Sequence, residues 1–571
     1  MNAERLLEVY EQISEAPDAI ARLRTFVLDL AVRGKLVEQD PTDEPASTLL
    51  DRMTAERAEL ERSKAIKKVK LSVFNASNDA IPFNWIWTQL GTVGDWGAGS
   101  TPQRGNSEFY GGDIPWLKSG ELGDSLRLKG SEETVTHKAL AKCSFRLNKP
   151  GDVLIAMYGA TIGKLAILAE DAVTNQAVCG CTPFEGLANR YLFLFLLASR
   201  EAFHASSEGG AQPNISKVKI VNTRFPLPPL AEQHRIVAKV DELMALCDRL
   251  AEARKTREEL RDKVTAASLA RLTAPDTTAE DFPTHAAFAL EALPALTTRP
   301  DQIKTLRQTI LNLAVRGKLV EQDVADEPAA DLLERIEKEK AKILSETGMR
   351  KPRKVADMDP TERWTDLSVN WAWTQLSNLG FISPRNEADD NAEASFVPMP
   401  MIFAEYGVSN DHEARNWGEI KKGYTHFAEG DIGLAKITPC FENGKSTVFR
   451  NLTGGFGSGT TELHVLRPII VNPDYIVLYL KCPQYIETGI PKMTGTAGQK
   501  RVPSEYFTSS PFALPPLAEQ QRIVAKVDAL MALCDRLEAA LATADTTRTR
   551  LLESLLHEAL EPAATTLEAA E

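Results

Sequence analysis

Apolar residues near the start of the chain recur at helical spacing. Ile20, Leu23, Phe26, Val27, Leu30 and Ala31 make one stripe over Ile20 to Val32, which predicts an amphipathic helix. Gly34 stands where such a helix would close on a left-handed residue. A second helix is predicted over Pro45 to Lys68, dense in Glu, Arg, Ala and Leu, with a counterpart over Pro328 to Leu344. The clearest pattern lies further along. Pro228 and Pro229 cannot sit in a helix interior, so a helix starts just after them. Ile236, Val240, Leu243, Cys247 and Leu250 then follow at alternating steps of four and three, a heptad seam. Ile523, Val527, Leu530, Cys534, Leu537 and Leu541 repeat it later in the chain. A continuous helix from Leu230 to about Arg271 would be roughly 60 Å long at ~1.5 Å per residue. Elsewhere the period changes. Short apolar runs such as Val153 to Met157 and Ile432 to Ile437 alternate with Gly and Pro clusters, including Gly209-Gly210 and Gly454 to Gly459. Two mixed α+β domains of about 140 residues, with exposed loops, are expected there.

The chain is written twice. Leu30 to Asp40 reads LAVRGKLVEQD, and so does Leu313 to Asp323. Trp85-Ile-Trp-Thr-Gln-Leu90 returns as Trp371-Ala-Trp-Thr-Gln-Leu376, and Leu227 to Leu250 returns as Leu514 to Leu537 with changes only at His234/Gln521 and Glu242/Ala529. A separation of about half the chain indicates a duplication and not a solenoid, whose period is tens of residues. Residues 91–225 and 377–512 share little beyond marks such as Gly151-Asp152-Val153 against Gly430-Asp431-Ile432. Two matching frames hold two unlike inserts. That contrast suggests two copies of one partner site and two different things being read.

Leu227-Pro-Pro-Leu-Ala-Glu-Gln233 and its copy Leu514 to Gln520, Ala31-Val-Arg-Gly-Lys-Leu36 and its copy, Gly151 to Lys164, Thr174-Asn-Gln176, Gly430 to Pro439 and Glu442-Asn-Gly-Lys445 occur in an order that resembles the specificity subunits of type I restriction–modification systems. The resemblance covers nearly the whole chain. It implies two mixed α/β target recognition domains separated by long antiparallel conserved helices in a pseudo-two-fold repeat. The expected division is a helical region 1–80, recognition domain 81–226, long helix 227–272, linker 273–300, second helical region 301–369, recognition domain 370–513 and distal long helix 514–571. The resemblance further implies that each domain reads one half of a bipartite, asymmetric double-stranded DNA target. Two methyltransferase subunits would dock on the helices, with Ile236, Val240, Leu243, Leu250, Ile523, Val527, Leu530 and Leu537 assigned to docking and seam. S-adenosylmethionine would reside in those partners, and ATP and Mg in separate restriction subunits. No cofactor is expected on this chain.

Composition qualifies this picture. The 571 residues carry a net charge of −13, unlike a simple basic nucleic-acid binder. Residues 82–225 hold 14 Lys and Arg against 13 Asp and Glu, and residues 370–513 hold 12 against 15, so the acidity sits mainly outside the inserts. Phosphate neutralisation sets non-specific affinity, so the isolated chain is expected to bind DNA weakly. Base reading calls for Arg or Lys against guanine and Asn or Gln against adenine. The loop candidates are Thr101, Gln103, Arg104, Lys118, Ser119, Tyr158, Thr161, Lys164, Gln212, Asn214 and Lys217 in the first insert. In the second they are Arg385, Asn386, Lys436, Thr438, Asn443, Lys445, Gln499, Lys500 and Arg501.

Motifs for self-contained chemistry are missing. Gly159 to Lys164 lacks the first Gly and the final Ser/Thr of a phosphate loop, and Asn443-Gly-Lys-Ser446 has Pro439 in place of the first Gly. Cys179 and Cys181 have no second ligand pair for zinc and read as a buried apolar pair, and Asp152 and Asp431 read as turn residues. Seven cysteines, no secretory leader and no long apolar run place the chain in the reduced cytoplasm as an expectation, with Tyr191 to Ala198 as core. A protein-interaction scaffold built on the duplicated helices is the competing reading. A self-contained nuclease or methyltransferase is disfavoured.

Overall fold

A computed structural model describes residues 15–73, 80–207, 213–274, 280–347, 358–496 and 498–560, with 277 and 355. Gln212 and Gly209-Gly210 lie outside the described residues. The chain forms two compact units, Met1–Thr256 with Asp545–Glu571, and Arg257–Ala544.

The first unit opens with helices α1 (Ala19–Val32) and α2 (Ala46–Arg62). Strands β1 (Ile86–Gln89), β2 (Gly94–Ala98), β3 (Tyr110–Leu117), β4 (Ser125–Leu128) and β5 (Thr134–Val135) follow, then helix α3 (His137–Lys142). Next come β6 (Val153–Ala156), β7 (Leu165–Leu168), β8 (Val173–Thr174) and β9 (Val178–Pro183), then helices α4 (Asn189–Ala198), α5 (Arg200–Ala205) and α6 (Lys217–Val221). Strand β10 (Arg224–Leu227) leads into helix α7 (Leu230–Thr273). The helix begins at the residue after the Pro pair, because proline supplies no N–H for the interior of a helix. Gly34 has φ +67, the left-handed conformation its position at the end of α1 calls for.

One sheet of this unit runs β2-β9-β6-β7-β4 and another β5-β3-β8. A separate two-stranded ladder pairs β1 with β10, from Ile86 opposite Leu227 to Gln89 opposite Arg224. The insert is therefore tied at a neck made from the duplicated frame. Helix α4 buries Tyr191 through Leu196, as its apolar run predicts.

The second unit contains helices α8 (Phe282–Leu296), α9 (Pro300–Val315) and α10 (Ala329–Thr347), then strands β11 (Ala372–Gln375), β12 (Gly380–Ile382), β13 (Glu393–Val397) and β14 (Glu413–Asn416). After helix α11 (Trp417–Ile420) come β15 (Thr425–Ala428), β16 (Ile432–Ala435), β17 (Ser446–Val448), β18 (Phe456–Gly459) and β19 (Leu463–Pro468). Helices α12 (Pro473–Lys481), α13 (Pro483–Gly489) and α14 (Ser504–Ser509), strand β20 (Pro511–Leu514) and helix α15 (Leu517–Leu560) follow. The long helices exchange their ends: α7 belongs to the second unit from Arg257 and α15 to the first from Asp545. The sheets of the second unit run β12-β19-β16-β17 and β14-β13-β18-β15, and β11 pairs β20 as the equivalent neck. The two inserts share a neck and one strand order around the central hairpin, β2-β9-β6-β7 against β12-β19-β16-β17, and differ by β4 at the edge of the first and by β15 beside β18 in the second.

Two expectations need correction. The stretch 273–300 is not a bare linker. Helix α8 occupies most of it, and Ala289 packs with Leu269, Leu272 and Leu313. Alanine and leucine density outweighs the scattered prolines that suggested a loop. The heptad seam is also not a free docking surface. Ile236, Val240, Ile523 and Val527 are no more than 1% exposed. They sit in the cores of their own units, with Leu243, Leu530 and Leu537 packed against them, while Leu250 is half-buried. A heptad pattern reports burial but not which partner does the burying.

The duplicated polar residues are frame residues for the same reason. Gln233 is fully buried, receiving Ala188 N–H at 2.8 Å and donating to the carbonyls of Pro228 and Gly186. Gln520 repeats this with Asn472 N–H at 2.9 Å and the Pro515 carbonyl. Arg235 grips Asp43 at 2.6 Å as Arg522 grips Asp326 at 2.7 Å.

Candidate nucleic-acid interface

The loops that gathered most of the sequence candidates are built on one backbone plan in both inserts. In the first, β6 and β7 form an antiparallel hairpin closed by Ala156 N–H donating to the Lys164 carbonyl at 2.9 Å. A strap before α6 lies across the tip. Ile215 N–H donates to the Met157 carbonyl at 2.9 Å, and Gly159 N–H to the Pro213 carbonyl at 2.8 Å. Tyr158 is bridged to Asn214. In the second, β16 and β17 are closed by Ala435 N–H on the Lys445 carbonyl at 2.9 Å. Val502 N–H donates to the Lys436 carbonyl at 2.8 Å, Thr438 N–H donates to the Lys500 carbonyl at 2.9 Å, and Ile437 is bridged to Arg501. The same bonds recur, so Tyr158 matches Ile437, Asn214 matches Arg501 and Lys164 matches Lys445. The second tip is two residues longer, 436–444 against 157–163.

Local sequence explains the turns. Gly163 and Gly444 precede the two lysines with φ +76 and +69, which glycine adopts without strain. Asp152 and Asp431 begin the hairpins and close the preceding turns, accepting from Lys149 N–H at 3.0 Å and Ala428 N–H at 2.8 Å. That is the turn role read from sequence. Burial pushes both carboxyls up, while Arg467 at 2.8 Å offsets part of this at Asp431. Neither lysine-ended run is a phosphate loop: Gly159 to Lys164 enters strand β7 and Asn443 to Ser446 enters β17, whereas a phosphate loop opens a helix. Cys179 and Cys181 are fully buried in β9, and burial pushes the Cys179 thiol up to about 12. Among the described residues no three His, Cys, Asp or Glu side chains cluster to hold a metal.

Tyr158, Thr161, Lys164 and Asn214 meet at the first hairpin and strap, with Lys217 opening α6 just after it, and Lys436, Thr438, Asn443, Lys445, Gln499, Lys500 and Arg501 meet at the second. The segment 174–177 joins the first hairpin to the remaining candidates: Met157 N–H donates to the Ala177 carbonyl, and Thr101 hydroxyl bonds Gln176. Gln103 and Arg385 are exposed, and Ser119 is half-buried.

Several candidates already have partners. Arg104 pairs with Glu133 at 2.6 Å and lies over the Trp116 ring at 5.0 Å from its centroid. Lys118 pairs with Glu133 at 2.7 Å and Glu132 at 3.4 Å. Arg501 makes two contacts of 2.8 Å with Glu462. Hydrogen bonds from these cations hold the carboxyls of Glu133 and Glu462 below the usual range. Thr161 and Thr438 hydroxyls donate to the Tyr158 and Lys500 carbonyls. Asn386 is a framework residue, donating to the Phe427 carbonyl at 2.7 Å and accepting from Arg467 at 2.9 Å. Its amide is spent inside the fold. Glu133 and Glu462 escaped sequence reading. The only hint was the near balance of acids and bases within each insert.

Both inserts thus pair a shared backbone plan with unlike, polar loop tips. Residues 82–260 match the type I restriction modification DNA specificity domain family. The specificity subunit of the type I restriction enzyme EcoEI from Escherichia coli is 49% identical over 257 residues, 44% of this chain and 43% of that protein. That of EcoAI, also from Escherichia coli, is 47% identical over 257 residues, 44% of each chain. The chain spans less than half the length of these relatives in the matched region. The crystal structure of the HsdS subunit from Thermoanaerobacter tengcongensis is similar at 17% identity and a TM-score of 0.41, over 84% of this chain and 97% of that one. The likeness to these specificity subunits is carried by residues 82–260 for the family and by 257 matched residues for the two relatives. No helix among the described residues is long and apolar enough to cross a membrane.

Proposed function

We propose that this chain is the non-catalytic DNA-reading subunit of a cytoplasmic type I restriction–modification complex. Each insert, 81–226 and 370–513, reads one half of a bipartite, asymmetric double-stranded target. The observation behind this reading is the recurrence of one hairpin-and-strap plan with different side chains at its tip. Equal backbones place the two tips alike, and unlike side chains make the two half-sites differ.

The long helices serve as spacer and dock two methyltransferase subunits that hold S-adenosylmethionine. Restriction subunits bring ATP and Mg. Support for docking comes from the outer face of the duplicated helix. Ala231, Ala238 and Ala245 recur every seven residues beside Leu246, which is 42% exposed, and Ala518, Ala525, Ala532 and Leu533 (43%) repeat them. Burial accounts for identity at Ile236 or Val240 but not at these exposed positions. The two differences, His234/Gln521 and Glu242/Ala529, fall on this same exposed side. An antiparallel course of the two helices is supported by contacts inside each unit. In the first, Arg24 meets Asp248 and Arg254 reaches the Ala16 carbonyl, while Ala16 and Ala19 pack on Leu552 and Leu555. In the second, Arg307 meets Asp535 and Arg299 meets Glu258 and Asp262.

Methylome sequencing with the gene deleted tests the function. Loss of adenine methylation at one bipartite motif is expected, with all other motifs intact. An unchanged methylome would defeat the reading.

A further inference from the structure

Lys164 and Lys445 differ from every other residue of the two tips. They occupy the same backbone position, each closing its hairpin through its carbonyl and following a left-handed glycine. Between the closing pairs the sequences diverge completely, Met157-Tyr-Gly-Ala-Thr-Ile-Gly163 against Lys436-Ile-Thr-Pro-Cys-Phe-Glu-Asn-Gly444, apart from that glycine. A side chain that reads a base should vary with the base, and one that touches what all duplexes share should not.

Their electrostatics separate them from the clamped cations of the same loops, as they do Lys217, Lys436 and Lys500, but only Lys164 and Lys445 combine a free charge with an equivalent position. Arg104, Lys118 and Arg501 are neutralised by Glu133, Glu132 and Glu462. The Lys164 ammonium has no hydrogen bond or ion pair among the described residues. Lys445 makes only a 3.5 Å contact with the Met399 carbonyl, which leaves its charge uncompensated. Both are half-buried, so their stems are steadied while the charge stays available. Lysine is a compact point charge that suits a phosphate, and it lacks the planar fork that reads guanine bidentately. In a chain of net charge −13, an uncompensated cation at an equivalent place in each insert is well suited to hold the duplex.

Resting on the DNA-reading function above, we propose that Lys164 and Lys445 are a matched pair of sequence-independent anchors. Each contacts a backbone phosphate beside its hairpin, while the variable tip residues read the bases. The anchors fix how each hairpin enters its half-site.

The test uses the full chain in complex with its methyltransferase subunit and two duplexes of equal length, one carrying the methylated motif and one without it. K164Q and K445Q should each weaken binding to both duplexes by the same factor. Each should also lower the slope of log affinity against log salt by about 0.9, with the methylated motif unchanged. K164R and K445R should behave like the unsubstituted complex. An unchanged salt slope, a loss confined to the motif duplex, or relaxed methylation at one base position would overturn the assignment. An unsubstituted complex that does not distinguish the two duplexes would defeat the DNA-reading function, and the anchors with it. If that complex distinguishes them and the Gln variants are unaffected, only the anchors fail.

Discussion

His464 in β19 is 8% exposed, stacks on Phe507 with ring centroids 5.2 Å apart, and donates from Nε2 to the Val502 carbonyl at 3.0 Å. Burial, with nearby Lys436 adding to it, holds its pKa down to about 4. The unfolded chain takes up a proton near the ordinary imidazole value of about 6.5, whereas the folded chain does not until about 4. Stability from this group is therefore fully present above pH 6.5 and lost as pH falls towards 4. In urea unfolding at pH 7 and pH 4, H464Q is expected to reduce the acid-side loss by on the order of 3 kcal/mol. An identical loss in the variant would show that other groups set the acid limit. Residue-scale chemistry was unevenly legible in the sequence. The left-handed Gly34 and the turn roles of Asp152 and Asp431 follow from local rules. The Glu133 and Glu462 clamps join positions 15 to 39 residues apart to their cations, and no local spacing announces them.

Among the elements, the helices announced themselves most clearly. α1, α10 and the starts of α2, α7 and α15 lie where periodicity and the proline pairs put them, while α2 ends at Arg62 and not at Lys68. The small strands were legible mainly at the central hairpin, where Val153 to Ala156 and Ile432 to Ala435 are fully buried apolar runs. Elsewhere the β-structure depends on pairing between distant segments, as in the neck ladders. The seam shows what periodicity leaves open, since a residue can be internal to its own unit or to an assembly and give the same pattern. The outer face decides between them. L246E and L533E add a charge on an exposed position, so the thermal midpoint of the chain should hold. Co-purification with the methyltransferase subunit should fall by about tenfold or more if this face docks it. Undiminished recovery would assign docking to another surface.

For the molecule as a whole, the duplication and the division into frame and insert were legible from sequence identity alone. The exchange of helix ends was not, because it depends on which distant segments share a core. It alters how the spacer should be lengthened. Arg299 holds Glu258 and Asp262, and Arg22 holds Glu553 at 2.8 Å, so each long helix is gripped along its distal part. One heptad added within residues 252–264 and another within the equivalent 539–551 lengthens both by ~10 Å. The gap between half-sites should grow by up to about three base pairs at ~3.4 Å each, with both half-sites unchanged. A heptad in one helix alone shifts these grips out of register and should abolish methylation. Methylome sequencing of the two variants reads both outcomes, and altered half-sites would refute the separation of reader from ruler.

The exchange of helix ends also orders events during synthesis. Ala16 and Ala19 emerge from the ribosome early, yet Leu552 and Leu555, which cover them, are among the last described residues to be made. The first unit must therefore wait, partly open, until the distal part of α15 has been made. Loss of the helical turns that carry Leu552 and Leu555 would be felt first at Ala16 and Ala19.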